Sequence, residues 1–222
     1  MRDGLPRVGV VGTGRLGDAV LRQCRELGLP VVVTASSSGW HADDTADVLV
    51  DVLRYCAEHN AALVECVSNL DSPQWTEIHA LATSVPVLRA TNLAIGHHLQ
   101  RRLVAHLAAI APSHPETSVW ERHPTTKAHR PSATAIALAD VWTAASGREP
   151  ADVSSSRAGL TVSEHEVTWT WAAETVTVRH SVGSFTAAAT GAVRAVTWLN
   201  TRAPGLYDTQ EMYDDLISTR GA

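Results

Sequence analysis

The sequence predicts an α/β protein in which a parallel, doubly wound sheet comes first and an α+β region follows. Three observations predict it. A short apolar run meets a glycine-rich turn near the N-terminus. Apolar runs then alternate with helical spacings as far as Leu88. Beyond Asn92, long helices and period-two stretches replace that alternation.

Val8-Gly9-Val10-Val11 reads as the first strand, and Gly12-Thr13-Gly14-Arg15-Leu16-Gly17 follows it. Leu16, Ala19, Val20, Cys24 and Leu27 then recur at helical spacing, and Gly28 stops that helix. Pro30-Val31-Val32-Val33 reads as a second buried strand. Residues 47–52 (DVLVDV) read as a third and residues 62–67 (ALVECV) as a fourth, with a short helix through Tyr55 and Cys56 between them. Asp71-x-x-Gln74, with Pro73 in the first turn, starts a helix that closes before the strand Val85-Pro86-Val87-Leu88. A helix over about residues 93–110 precedes a Pro/Ser/His-rich break at 111–115. A strand at 118–122, a polar loop and a helix over about 132–146 come next, and Ser154-Ser155-Ser156 reads as a loop. Residues 162–171 and 175–180 alternate with period two, which suits antiparallel strands with one face covered. Trp169 and Trp171 then share a face, where packing or a subunit interface outranks ligand stacking. The last helix runs over 186–199, and Gly205-Leu206-Tyr207 begins a short acidic tail.

The 222 residues, 45% apolar and 18% charged, suit one large domain or two small ones and exclude wholesale disorder. A net charge of −5, with scattered Lys and Arg, argues against nucleic acid or an anionic membrane as partner. Cys24, Cys56 and Cys66 form no Cys-x-x-Cys pair, which fits free thiols in a reducing compartment. The N-terminus lacks the apolar core of a signal peptide, and no uncharged run approaches ~18 residues, so a cytoplasmic protein is expected. The eleven histidines include no HxxxH or HExxH arrangement, and no metal site is expected.

Gly12, Gly14 and Gly17 form G-x-G-x-x-G after a strand and at the start of an amphipathic helix. The first glycine permits the tight turn, the second lets backbone approach a pyrophosphate, and the third lets helix and strand pack closely. The helix N-terminus adds partial positive charge. Gly12, Thr13, Gly14, Arg15, Leu16 and Gly17 are therefore candidate dinucleotide ligands. The second strand ends Thr34-Ala35-Ser36-Ser37-Ser38, with no acid before Asp43. Hydroxyls without a carboxylate favour a 2′-phosphate, to which Arg15 could add charge. The balance leans to NADPH over NADH, with Ser36 as the candidate contact.

Glu121-Arg122-His123-Pro124-Thr125-Thr126-Lys127 leaves a strand with a histidine and a lysine four apart. Ala128-His129-Arg130-Pro131-Ser132-Ala133-Thr134-Ala135 then runs into a helix start bearing hydroxyls. A helix N-terminus suits a carboxylate, a lysine beside it can protonate a nitrogen, and a histidine can relay a proton near neutral pH. A solvated loop with a helix cap at Ser132 explains the same spacing.

At these residues the chain resembles dihydrodipicolinate reductase, whose pattern here is E-x-H-H-x-x-K-x-D-A-P-S-G-T-A. Thr91-Asn92-Leu93-Ala94-Ile95-Gly96 is similar to that family's P-N-F-S-x-G hinge. Arg157-Ala158-Gly159 and Glu164-His165-Glu166-Val167 resemble its R-x-G and G-E-H-x-V strands, and Gly191 to Tyr207 its last helix and tail. The resemblance implies a Rossmann-like nucleotide-binding domain (1–92 and 200–222) and a mixed-sheet domain for substrate binding and oligomerisation (93–199). It also implies a homo-oligomer, a tetramer or dimer, and hydride transfer from NAD(P)H to a carboxylated cyclic imine. His123 and Lys127 match the catalytic pair, and Ser132 and Thr134 the residues that hold a substrate carboxylate, with Ala133 between them.

The departures are specific. Pro124 replaces the family's second histidine, His129 its aspartate, Arg130 its alanine and Ala133 its glycine. Glu65-Cys66-Val67-Ser68 stands where G-T-T-G normally lies along the nicotinamide ribose, and Phe185 replaces an arginine. Chemistry-bearing residues are kept while ligand contacts change, which suggests a relative with its own substrate, to which Arg130 offers a new cation. The alternatives are the family's own lysine-pathway reaction and a non-redox protein on the same fold.

Overall fold

The computed structural model describes residues 5–12, 14–35, 45–67, 70–159 and 162–219. The chain folds into two compact units, Met1–Leu93 with Thr186–Ala222 and, inserted between them, Ala94–Phe185.

The first unit opens with β1 (Val8–Val11), α1 (Arg15–Glu26) and β2 (Val31–Ala35), the two strands pairing in parallel. Gly28, at φ +67°, follows the end of α1 as the spacing predicts. Then come α2 (Thr45–His59), β3 (Leu63–Glu65), α3 (Ser72–Ala82) and β4 (Pro86–Arg89). The expected third strand is absent: residues 47–52 lie inside α2. Leu49, Val52, Leu53 and Cys56 share the helical period and pack with Ile78 and Leu81 of α3, so Leu49 and Val52 of the run belong to the buried stripe of a longer helix. Asp71 and Gln74 form the predicted capping box, each side chain accepting the other's backbone N–H at 2.9 Å.

The second unit is built from α4 (Ile95–Ile110), β5 (Glu116–His123), α5 (Ala133–Ser146), β6 (Asp152–Arg157), β7 (Ser163–Thr170) and β8 (Thr175–Val182). Its sheet runs β6-β5-β7-β8, with β6 parallel to β5 and the other pairs antiparallel. Ser154–Ser156 is strand, not loop: six residues of β6 pair along β5, and backbone pairing overrides the turn preference of serine.

The chain then returns to the first unit as α6 (Thr186–Leu199), β9 (Gly205–Asp208) and α7 (Thr209–Ser218), and β9 adds in parallel to β4. Helix α6, expected in the second domain, belongs with the first because its Ala192, Ala195 and Trp198 pack with Leu88, Leu93 and Met212.

The sheet of the second unit has two unlike faces. Val119, Val167 and Trp169 pack under Val104 of α4 and Leu138 and Trp142 of α5. Trp169 is therefore a core residue, and Trp171 packs beside it with its indole N–H on the Pro112 carbonyl at 3.0 Å. On the opposite face the register aligns Trp120 and Arg122 with Glu164 and Glu166, and these with Arg179 and Ser181. Of the two roles expected for the tryptophan face, packing within the unit holds: helices cover the apolar face, and the other is polar.

Candidate functional site

Two sets of candidate residues occur, one in each unit. In the first, Gly12 takes φ +98°, which favours glycine, and turns the chain from β1 into α1. A Cβ on Gly17 would lie 1.8 Å from the Gly12 carbonyl oxygen, so glycine there is needed for the turn to pack on the helix. Gly14 is the N-cap of α1, and among the described residues a Cβ there would meet no atom beyond its chain neighbours within 4 Å. Among the described residues no side chain caps this end, and open space lies at the helix N-terminus, the arrangement a pyrophosphate needs. Arg15 and Leu16 occupy the first turn, Arg15 exposed. Thr13 and Ser36 lie outside the described residues.

Beyond the end of β3, the Cys66 thiol is pushed up to about 12 by burial and by the neighbouring Glu65 carboxylate, so it stays a small neutral group. Glu65 itself is buried, accepts the Val67 N–H, and has its pKa raised by burial against that bond and Arg89.

The second set forms at the end of β5. Strand register puts Glu121 opposite Ser155 on β6 and His165 on β7, and puts His123 opposite Arg157. Glu121 is fully buried. Its Oε1 accepts the Ser132 N–H at 3.0 Å, the Ser155 hydroxyl at 2.7 Å and an Arg157 Nη2–H at 2.9 Å. Burial alone would raise its pKa, but the approach of His165 and the hydrogen bonds from Ser132, Ser155 and Arg157 prevail and hold it well below the carboxylate range. Its Oε2 lies 3.4 Å from His123 Nδ1 and 3.7 Å from His165 Nε2. The two imidazoles meet edge to face, with centroids 5.1 Å apart.

Arg157 does a second task. Its Nε donates to the Lys127 carbonyl at 2.9 Å and its Nη2 to the His129 carbonyl, so one buried guanidinium pins the loop that carries Lys127. Lys127 is half-buried, while His129 and Arg130 are exposed. His123 is pushed down to about 4, first by burial and then by His165, Arg157 and Lys127 against the pull of Glu121. It is therefore neutral at pH 7.

Ser132 is the N-cap of α5, its hydroxyl accepting the Ala135 N–H at 3.3 Å and lying 3.4 Å from His165 Nε2. The Ser132 side chain is thus engaged within the protein. Ala133 and Thr134 begin the first turn, which carries no acidic residue and presents the helix dipole to an anion. His123 thus ends β5, Lys127 lies on the loop that follows, and Ser132, Ala133 and Thr134 lie at the helix start it feeds. Glu121, Arg157 and His165 join them; residue spacing assigns these three no role, and only strand register unites them.

Glu121, His123 and His165 place ligand-type atoms within 4.8 Å of one another. Arg157 already neutralises the one carboxylate, so a divalent ion would add uncompensated charge to a buried site. The cluster fits a hydrogen-bonded relay better than a metal centre.

The family model "Dihydrodipicolinate reductase, C-terminus" matches residues 96–213. A 4-hydroxy-tetrahydrodipicolinate reductase from Myxococcus xanthus is 31% identical over 236 aligned positions, covering 91% of this chain and 87% of that protein. Among solved structures, dipicolinate-bound dihydrodipicolinate reductase from Paenisporosarcina sp. TG-14 has a similar fold. Its TM-score is 0.66 at 15% identity, with 92% of this chain and 98% of that one covered. An amine dehydrogenase from Mycobacterium smegmatis follows at TM-score 0.57 and 15% identity, with 92% and 95% covered. Among the described residues, no helix is long and apolar enough to cross a membrane. With a family model over more than half its length and a curated relative along nearly all of it, this chain belongs to the dihydrodipicolinate reductase family and is a nicotinamide-dependent oxidoreductase.

Proposed function

We propose that the protein is an NAD(P)H-dependent imine reductase acting on a carboxylated cyclic imine. The observation that carries this reading is the pinned loop, where Arg157 fixes the backbone of Lys127 beside a neutral His123 and the start of α5.

Gly12, Gly14, Arg15, Leu16 and Gly17 would hold the nucleotide, and its reduced nicotinamide supplies hydride. When hydride adds to the imine carbon, the C=N π pair moves to nitrogen, which must take a proton. Lys127 is the donor, its ammonium becoming an amine that solvent recharges. Neutral His123 acts as an acceptor that orients or relays this proton. A substrate carboxylate docks at the first turn of α5, on the Ala133 and Thr134 side, with Arg130 as a further cation. Ser132 supports that site by capping the helix.

Pro124, Arg130, Ala133 and Phe185 change the ligand surroundings, so the substrate differs from that of the lysine-pathway enzyme. The 31% identity to the Myxococcus reductase favours a second reading, that relative's own reaction. A steady-state assay with NADPH, the 4-hydroxy-tetrahydrodipicolinate substrate and a panel of cyclic imino acids separates the two. Turnover of the lysine-pathway substrate above about 10⁴ M⁻¹s⁻¹ makes the second reading correct. Nucleotide binding tests both: micromolar NADPH affinity, about −8 kcal/mol, is expected, and no heat with NADPH or NADH overturns the reductase reading.

A further inference from the structure

We propose that Glu121 is a positioning residue that fixes the tautomer of His123, holding Nδ1–H inward so that Nε2 presents its lone pair to the ligand. The proposal takes the reaction from the reductase reading, but its geometry stands within the second unit alone.

The two carboxylate oxygens of Glu121 are used differently. Three donors, the Ser132 N–H, the Ser155 hydroxyl and Arg157, converge on Oε1 and lock the carboxylate plane. Among the described residues Oε2 accepts no hydrogen bond and His123 Nδ1 makes none, although both atoms are buried and they lie 3.4 Å apart. Burying two such groups unpaired is unfavourable, and each is the partner the other lacks. An ionised carboxylate can only accept, so the imidazole must bring its proton on Nδ1. Contacts of this kind are often long before a ligand binds and shorten in the complex.

His165 is the competitor for the same oxygen, at 3.7 Å, but its Nε2 also has the Ser132 hydroxyl at 3.4 Å. Its ring stands edge to face against His123 and limits how far that ring can turn. A histidine held this way is an acceptor at neutral pH, which leaves Lys127 as the proton source. A carboxylate serving only as counter-ion to Arg157 would leave the tautomer of His123 unbiased. This difference is measurable.

Long-range ¹H–¹⁵N spectra of histidine-labelled protein report which ring nitrogen is protonated, with the His123 signals assigned by their loss in His123→Gln. The wild type is expected to show His123 as the Nδ1–H form at pH 7.5. In Glu121→Gln the population should move toward Nε2–H, with kcat falling by about 100-fold while KM changes little. A wild-type Nε2–H form overturns the proposal, as does a Glu121→Gln protein with unchanged tautomer and kcat. If Glu121→Gln fails to fold because Arg157 loses its counter-charge, the wild-type tautomer decides alone. Absence of turnover on any imine overturns the reductase reading, and the spectra still decide the role of Glu121.

Discussion

Lys127→Met removes an ammonium while keeping side-chain length, so it separates proton delivery from folding. We expect turnover to fall by about 100- to 10,000-fold with NADPH affinity unchanged by calorimetry; undiminished activity would show that another group protonates the product. The glycine turn offers a second contrast. Gly17→Ala forces a methyl to within 1.8 Å of the Gly12 carbonyl oxygen, so it should lower Tm. Gly14→Val projects into open space and should keep Tm while abolishing nucleotide binding. A Gly14→Val protein that binds NADPH normally would place the pyrophosphate elsewhere. The glycines, His123 and Lys127 were legible in the sequence because each sits in a local pattern. Glu121, Arg157 and His165 were visible only as motif positions, and their joint role was not, since 36 residues separate Glu121 from Arg157 and only the pairing of β5 with β6 and β7 unites them.

Helix termini were the most legible elements, because capping is local chemistry: Asp71 with Gln74, and Ser132 at α5, behave as their spacing predicts. Ser132→Ala should cost about 1 kcal/mol, read as a lower urea midpoint, and should weaken substrate binding by loosening the α5 start. Period was less decisive. The run DVLVDV satisfies a strand, and only Leu53 and Cys56 beyond it reveal the helical stripe. The serines of β6 carry no strand signal of their own. Helix α4 holds a titratable group in its core: His97 is pushed down to about 3, chiefly by burial, with His165, Arg101, His180 and His98 adding to it. The unfolded chain takes up that proton near pH 6.5. The neutral buried ring therefore stabilises the fold fully above that pH, and the contribution is lost as pH falls from about 6.5 toward 3. His123, at about 4, acts in the same direction. Thermal scans should show Tm dropping steeply between pH 6.5 and 4.5 and less steeply in His97→Gln. A flat wild-type profile would mean that His97 is hydrated.

For the whole molecule, the polar outer face of the second sheet is where we expect copies of the chain to meet. Arg122 and Arg179 both pair with Glu164 there, and Arg179 lies over Trp120 at 5.5 Å. Charges dominate that surface, so assembly should be salt-sensitive: light scattering should give an oligomer at micromolar concentration and a smaller species near 1 M salt, where screening shortens to about 3 Å. A monomer at low salt contradicts this. The pairing of β9 with β4 bears on something else, the order in which the chain can fold as it is made. Pro86–Arg89 meets its partner only when Gly205–Asp208 has been synthesised, after the whole inserted unit. Translation at about 5–20 residues per second leaves that edge of β4, with Val87 and Leu88 fully buried in the finished protein, unpaired for several seconds. The inserted unit, continuous in sequence, can fold during that wait. The nascent protein is thus expected to expose the β9-facing edge of β4 while its middle folds, and a chaperone that shields strand edges should raise its yield more than one acting on the released chain.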